Sequence, residues 1–253
     1  MAKQELASIL EGSAGKPERR LFGRHGDVKP NNILLFSDTK STKGLGTLKI
    51  TDFGITRFST EDEKFLREDE KVSCTYTYQS PECVLAKSIS TACDIWALGC
   101  LYLEFILWYL RGYEAVQAFS KERDSSYESD AFFERTSQDK YTGVPIARVK
   151  PCVTQVRYPQ LPKTSVTDAP YKMIANLQDD PSCTSSFHRF LNLIEGRMLV
   201  PSNVNTTPIL QHVVPEDTVI TSIAERISSG TLMHELGTIL QDYNDEEAAI
   251  AAP

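Results

Sequence analysis

Asp27 and Asp52 stand in a pattern whose residue types could move a phosphoryl group. The run His25-Gly26-Asp27-Val28-Lys29-Pro30-Asn31-Asn32 is followed, 20 residues after Asn32, by Asp52-Phe53-Gly54. Phosphoryl transfer needs a carboxylate beside the acceptor hydroxyl, a cation beside the moving anionic group, and oxygen donors for a hard divalent cation such as magnesium. Asp27, Lys29, Asn32 and Asp52 supply that set. Alone, Asp-Phe-Gly says little, since any three residues recur by chance, and an isolated Asp is ordinarily a solvated loop carboxylate. The ordered pair of motifs, with strand-like residues between them, carries the reading.

The elements that must position these groups are short. Asn32 to Phe36 reads as a strand, Ser37 to Gly46 as a polar turn, and Leu48 to Ile50 as the returning strand of a hairpin. Ser59 to Lys71 is acidic, with the look of a mobile loop, and Ser80-Pro81-Glu82 opens a helical region. Ile95 to Leu110, IWALGCLYLEFILWYL, is apolar enough to suggest a membrane span, but it is shorter than the ~20 residues a bilayer core needs and carries Glu104. A buried core helix is the expectation. From about Arg111 to Pro170 the chain is polar without sustained periodicity, the pattern of an extended, partly disordered insertion. Helical patterns return at Phe187 to Leu199 and Ile209 to Leu240, and the acidic end, residues 241–253, reads as a loose tail. The fold class implied is mainly α with a small β-hairpin.

Composition narrows the function classes. A formal net charge of -7 and a pI near 5.2 oppose a protein that grips nucleic-acid backbones, which needs clustered Lys and Arg. The six cysteines form no C-x-x-C pair and have no His at zinc-site spacing, so buried reduced thiols are expected. The first residues, MAKQELASILEGSAG, lack the apolar stretch of a signal peptide, and the expected location is intracellular, in the cytoplasm. Gly12 to Lys16 and Gly44 to Gly46 complete neither phosphate-binding glycine motif and read as turns.

Taken together, these motifs resemble the catalytic loop and magnesium-binding motif of eukaryotic protein kinases. The resemblance continues through Cys74 to Glu82, similar to the segment that ends in A-P-E and here written S-P-E. It extends to Asp94-Ile95-Trp96-Ala97-Leu98-Gly99, which looks like the start of the family's central buried helix. It implies ATP and Mg2+ as cofactors and a protein as substrate. Asp27 would be the base that orients the substrate hydroxyl, Lys29 would stabilise the transferred group, and Asn32 and Asp52 would hold the metal. Thr75 would tie the substrate loop to Asp27 and Lys29, and Asp94 would brace the loop backbone. His25 and Glu82 would be structural supports, one a packed loop residue and the other an ion-pair partner. Lysine two positions after the catalytic Asp is the Ser/Thr pattern. The style of RHGDVKPNNILLF resembles divergent fungal kinase-like proteins.

The sequence also departs from that family. Only 24 residues precede His25, and they hold no glycine-rich strand-turn-strand and no phosphate-pairing lysine. The expected architecture is therefore a kinase-like C-terminal lobe over 25–240 whose N-terminal lobe is missing, preceded by a degraded segment 1–24. ATP would meet one wall of a cleft, so the chain is expected to be inactive or weak by itself. A non-catalytic, pseudokinase-like binding module or a gene fragment is the alternative. Apolar surface normally covered by the other lobe would then await a protein partner. Gly26 replaces the usual Arg before the catalytic Asp, and Pro201 to Pro208 contains no Arg to pair with Glu82.

Overall fold

In the computed structural model the residues described are 21–37, 46–59, 75–85, 90–124, 130–138, 145–150, 152–153, 173–201 and 226–251. In chain order they form β1 (Phe22–Arg24), β2 (Ile33–Phe36), β3 (Thr47–Ile50), β4 (Arg57–Ser59), α1 (Pro81–Leu85), α2 (Ala92–Arg111), α3 (Tyr113–Asp124), β5 (Phe133–Gln138), β6 (Pro145–Val149), α4 (Met173–Gln178), α5 (Ser185–Leu193) and α6 (Ser229–Ala251). Helices dominate. The strands make three antiparallel pairs, β1–β4, β2–β3 and β5–β6, where the sequence reading expected a single hairpin.

The expected hairpin is β2–β3, registered Ile33 to Ile50 and Phe36 to Thr47. The pair β1–β4, with Arg24 opposite Arg57, was not anticipated; three-residue strands are too short to show a period of two. It joins the chain just before His25 to the chain just after Asp52-Phe53-Gly54, so the two motifs leave one small sheet side by side. Residues 1–20 of the degraded segment, the acidic loop after Ser59 and the start of the Ile209 to Leu240 pattern lie outside the described residues.

α2 is the centre of the fold. Trp96, Cys100, Leu103 and Leu107 are wholly buried, and Ile95, Leu101 and Ile106 nearly so, which leaves almost no polar face along its middle. By length and composition it could cross a membrane, but 61% of its most apolar window is buried inside the molecule. A helix apolar all round needs neighbours all round, and here they come from α3, β5–β6, α4 and α5. The helix stops at Gly112, whose φ of 80° is open to glycine and whose N–H closes on the Trp108 carbonyl at 2.8 Å. The turn lets α3 fold back along α2.

Two expectations are corrected. The described part of 111–170 is an ordered contributor to the core and not an extended insertion: α3 and the β5–β6 hairpin bury Phe119, Phe132, Phe133 and Val149 against α2. Its burying power sits in a few aromatic side chains scattered among charges, which leaves no periodic signal. Similarly, α6 carries helix through Ala251, where a loose tail was expected, and Tyr243 meets Phe187 at 6.4 Å between ring centroids.

Arg123 explains why Glu104 can sit inside α2. The Arg123 side chain is 1% exposed, lies between the Phe119 and Phe132 rings at 4.3 and 4.1 Å, and donates to Glu104 at 2.8 Å. The second Glu104 oxygen accepts from the Tyr78 hydroxyl at 2.7 Å. Arg123 Nε donates to the Asp130 carbonyl at 2.9 Å, and Lys150 Nζ donates to the Arg123 carbonyl at 2.7 Å. Removing one partner of a buried ion pair strands the other charge without solvent. Arg123→Ala is expected to lower the unfolding free energy by about 3–5 kcal/mol in urea titrations, whereas the Arg123→Met, Glu104→Gln double variant recovers part of the loss.

Candidate functional site

Asp94, in the first turn of α2, sets the position of the first motif. Its Oδ2 accepts from the His25 N–H at 2.7 Å and its Oδ1 from the Gly26 N–H at 2.8 Å. Burial pushes the Asp94 carboxyl above its ordinary range, against the pull of those two donors. Gly26 turns the chain at φ 88°, a conformation strained for any residue with a Cβ, and a Cβ there would also press on Ile55 at 3.3 Å. The His25 ring completes the turn: Nε2–H donates to the Thr51 carbonyl at 3.0 Å, and Nδ1 accepts from the Asp27 N–H at 3.3 Å. The ring also meets Phe53 edge-on at 5.1 Å. His25 is thus a packed loop residue whose two ring nitrogens are both committed.

The loop presents Asp27 to a ring of donors. Its Oδ2 faces Lys29 Nζ at 2.7 Å and accepts from Asn32 Nδ2 at 3.2 Å. Its Oδ1 accepts from the Thr75 N–H at 3.3 Å and the Thr75 hydroxyl at 3.2 Å, while that hydroxyl accepts from Lys29 Nζ at 2.8 Å. Partial burial raises the carboxyl, but Lys29 and the Thr75 donors outweigh it and hold Asp27 below its ordinary pKa. Asp27, Lys29, Asn32 and Thr75 are therefore brought together within hydrogen-bond reach.

Asn32 and Asp52 are the oxygen donors that could take a cation. Asn32 spends its amide N–H groups on Asp27, the second on the Asp27 carbonyl at 2.8 Å, which leaves its carbonyl oxygen for another partner. Thr51 donates to the Asn32 backbone carbonyl through its N–H at 2.8 Å and its hydroxyl at 3.2 Å, so the residue before Asp52 is tied to Asn32. Asp52 itself is exposed, with φ 63°, a left-handed conformation uncommon away from glycine and concentrated at functional positions. The Gly54 N–H reaches its Oδ1 at 3.3 Å. An amide oxygen and a carboxylate suit a hard cation that keeps several of its waters, as Mg2+ does. No group of three or more His, Cys, Asp or Glu at metal-binding distance occurs among the described residues.

Glu82 lies outside this cluster, on α1, and the arginine that Pro201 to Pro208 does not supply comes from further along the chain. Arg226 meets it with two nitrogens, Nη1 to Oε1 at 2.5 Å and Nη2 to Oε2 at 3.1 Å. The same guanidinium donates to the carbonyls of Ala92 and Val200 and sits 5.2 Å from the Trp96 ring centroid. The partner lies 144 residues from Glu82 and well past the Pro201 to Pro208 stretch, so no local spacing could have revealed it. Arg123 and Asp130, which hold Tyr78 and Thr77 through Glu104 and the Asp130 carboxylate, were also unsignalled. Their partners meet only when α3 folds onto α2.

Two outcomes follow. In a carbon-detected NMR titration the Asp27 carboxyl should titrate below the usual Asp range and return towards it in Lys29→Met. Because its folded pKa is lowered, the stability it contributes is complete above the unfolded Asp value and is lost as pH falls through the folded one. Arg226→Ala, which leaves Glu82 buried beside an apolar wall, should cost about 3–5 kcal/mol in chemical unfolding, and Arg226→Lys should recover only part because it loses the two-pronged contact.

Residues 22–142 match the family model for the protein kinase domain. A probable cyclin-dependent kinase 8 from Dictyostelium discoideum is 43% identical over 83 residues, covering 32% of this chain and 21% of that protein. Mitogen-activated protein kinase kinase kinase 20 from Arabidopsis thaliana is 40% identical over 80 residues, 32% of this chain and 21% of that protein. Serine/threonine-protein kinase SSN3 from Yarrowia lipolytica is 37% identical over 83 residues, 32% of this chain and 19% of that protein. The chain spans about a fifth of the length of these curated relatives. The segment that carries the site is thus similar to a protein kinase domain and to these relatives.

Proposed function

We propose that the described residues are the helical, C-terminal lobe of a protein kinase that transfers phosphate from ATP to Ser or Thr hydroxyls of a protein substrate. The observation that carries this reading is the Asp27 carboxylate, held by Lys29, Asn32 and Thr75 with its pKa below the ordinary range.

In this reading Asp27 stays ionised at neutral pH and takes the hydroxyl hydrogen of the acceptor, which aligns the oxygen for attack and gives the proton a destination. Lys29 reaches Asp27 and Thr75 at once, so its ammonium sits beside the place where negative charge moves. Thr75 couples the substrate-side segment to the base, and Asp94 fixes the base's backbone. Asn32 and Asp52 would hold Mg2+, which when bound neutralises phosphate charge. Gly26 in place of an Arg removes the usual cation through which a phosphorylated loop would act on Asp27, so control by such a phosphate is not part of the proposal.

A specific observation favours a second reading, in which this surface binds a protein rather than ATP. Leu35, Leu48 and Phe53 are 64, 57 and 55% exposed on the hairpin and the Asp-Phe-Gly turn, with Leu35 directly opposite Leu48 in the hairpin register. Phosphate transfer from ATP and Mg2+ to Ser/Thr peptides, measured on protein purified from its source, separates the two. Asp27→Asn is expected to reduce transfer by about 10²–10⁴-fold with nucleotide binding retained. Absence of both transfer and nucleotide binding in the native protein would leave the binding-module reading standing.

A further inference from the structure

We propose that Cys83 and Cys93 form a redox-active dithiol, an oxidation site for peroxide-class oxidants, whose disulfide staples α1 to the first turn of α2. Neither cysteine is in a disulfide, and the Cys83 thiol points at the Cys93 sulfur at 3.1 Å. A disulfide bond is ~2.05 Å long, so closure needs an approach of about 1 Å. Among the described residues this is the pair of cysteines whose sulfurs meet.

The surroundings favour a stepwise reaction. Cys83 is half-buried and borders a cleft that also reaches Asp27, Thr75, Ser80 and Asp94, so a molecule the size of hydrogen peroxide has a route to it. The Ser80 hydroxyl donates to the Cys83 sulfur at 3.2 Å. Cys93 is 8% exposed and its thiol donates to the Glu82 carboxylate at 3.6 Å. The contact with Cys83 and burial, with the Glu82 charge adding to them, push the Cys93 thiol well above its ordinary pKa. Cys93 lines the same cleft, but Cys83 is the more exposed of the two, so in this proposal Cys83 meets oxidant first and Cys93 resolves it.

In the first step the Cys83 sulfur attacks one peroxide oxygen, the O–O bond breaks, and water leaves with the thiol proton, giving a sulfenic acid. In the second, the Cys93 sulfur attacks the Cys83 sulfur, the S–O bond breaks, and a second water leaves with the Cys93 proton. Two thiols are oxidised by two electrons and one peroxide is reduced to two waters. Glu82 loses the S–H donor but keeps Arg226, so the bond can form without dismantling that ion pair.

The position makes the staple consequential. The 75–85 segment holds Asp27 from one side through Thr75, and α2 holds the same loop from the other through Asp94. A Cys83–Cys93 bond joins the two holders directly. This proposal rests on the sulfur geometry and stands whether or not the protein transfers phosphate.

The test uses the full chain, reduced, desalted and exposed to equimolar hydrogen peroxide. Trypsin cuts after Lys71, Lys87 and Arg111, so a 72–87 peptide linked to 88–111 under non-reducing conditions, fragmented to place the bond on Cys83 rather than Cys74 and on Cys93 rather than Cys100, reports the bond. The expected result is a loss of two hydrogens in intact mass, a Cys83–Cys93 cross-linked peptide, reversal by dithiothreitol, and hydrogen exchange across 75–85 slowed roughly tenfold. Cys83→Ala, at the more exposed position, and Cys93→Ser should each abolish both the mass loss and the slowing. Cys83 recovered as sulfinic acid, joined to Cys74 or to a second chain, or left unoxidised would overturn the proposal. So would a disulfide that leaves exchange across 75–85 unchanged.

Discussion

The half-buried Asp94 carboxylate ties the site to the core. Asp94 begins the helix around which everything else packs, and its two oxygens accept the N–H groups of His25 and Gly26. Two backbone donors on one carboxylate fix the loop in both position and orientation. The helix beneath is immobilised by side chains with no exposed surface, among them Trp96, Cys100, Leu103 and Leu107. The rigidity of the core is thereby passed to the loop that carries Asp27, and Val28, buried against Ala97 and Leu101, adds a second hold.

The same helix is hemmed by two buried ion pairs that each recruit a distant arginine. Arg123 neutralises Glu104 from α3, and Arg226 neutralises Glu82 while gathering the carbonyls of Ala92 and Val200. Buried charges of this sort are weak sources of net stability, because desolvation offsets most of the attraction. Their effect here is geometric. Glu104 also takes the Tyr78 hydroxyl, and Glu82 lies on α1, so both pairs fasten the 75–85 segment that supplies Thr75 to Asp27. The 75–85 segment is held at two places, Tyr78 and Glu82, by groups that cannot move without exposing a charge to apolar surroundings.

The opposite side of the site has a different character. Asp52 and Phe53 are exposed, and the hairpin carries leucines to solvent. The Asp27 carboxylate is anchored on a rigid helical body, whereas the Asp52 to Gly54 turn is open to solvent.

The order of His25 to Asn32 and Asp52 to Gly54, the hairpin between them and the buried helix from Asp94 were all legible in the sequence. Each depends on neighbours in the chain: an alternation, a turn, a run of apolar residues, a spacing of 20. Asp27's donors Lys29 and Asn32 are two and five residues away, so their meeting is nearly a local property. Only the tertiary structure decided that Arg226 reaches Glu82 across 144 residues, that Arg123 comes from a stretch with no periodic pattern, and that Cys83 and Cys93 meet across a helix junction. A long-range ion pair leaves no trace in local spacing because either partner alone looks like an ordinary surface charge. It becomes obligatory only once packing has removed the water around it.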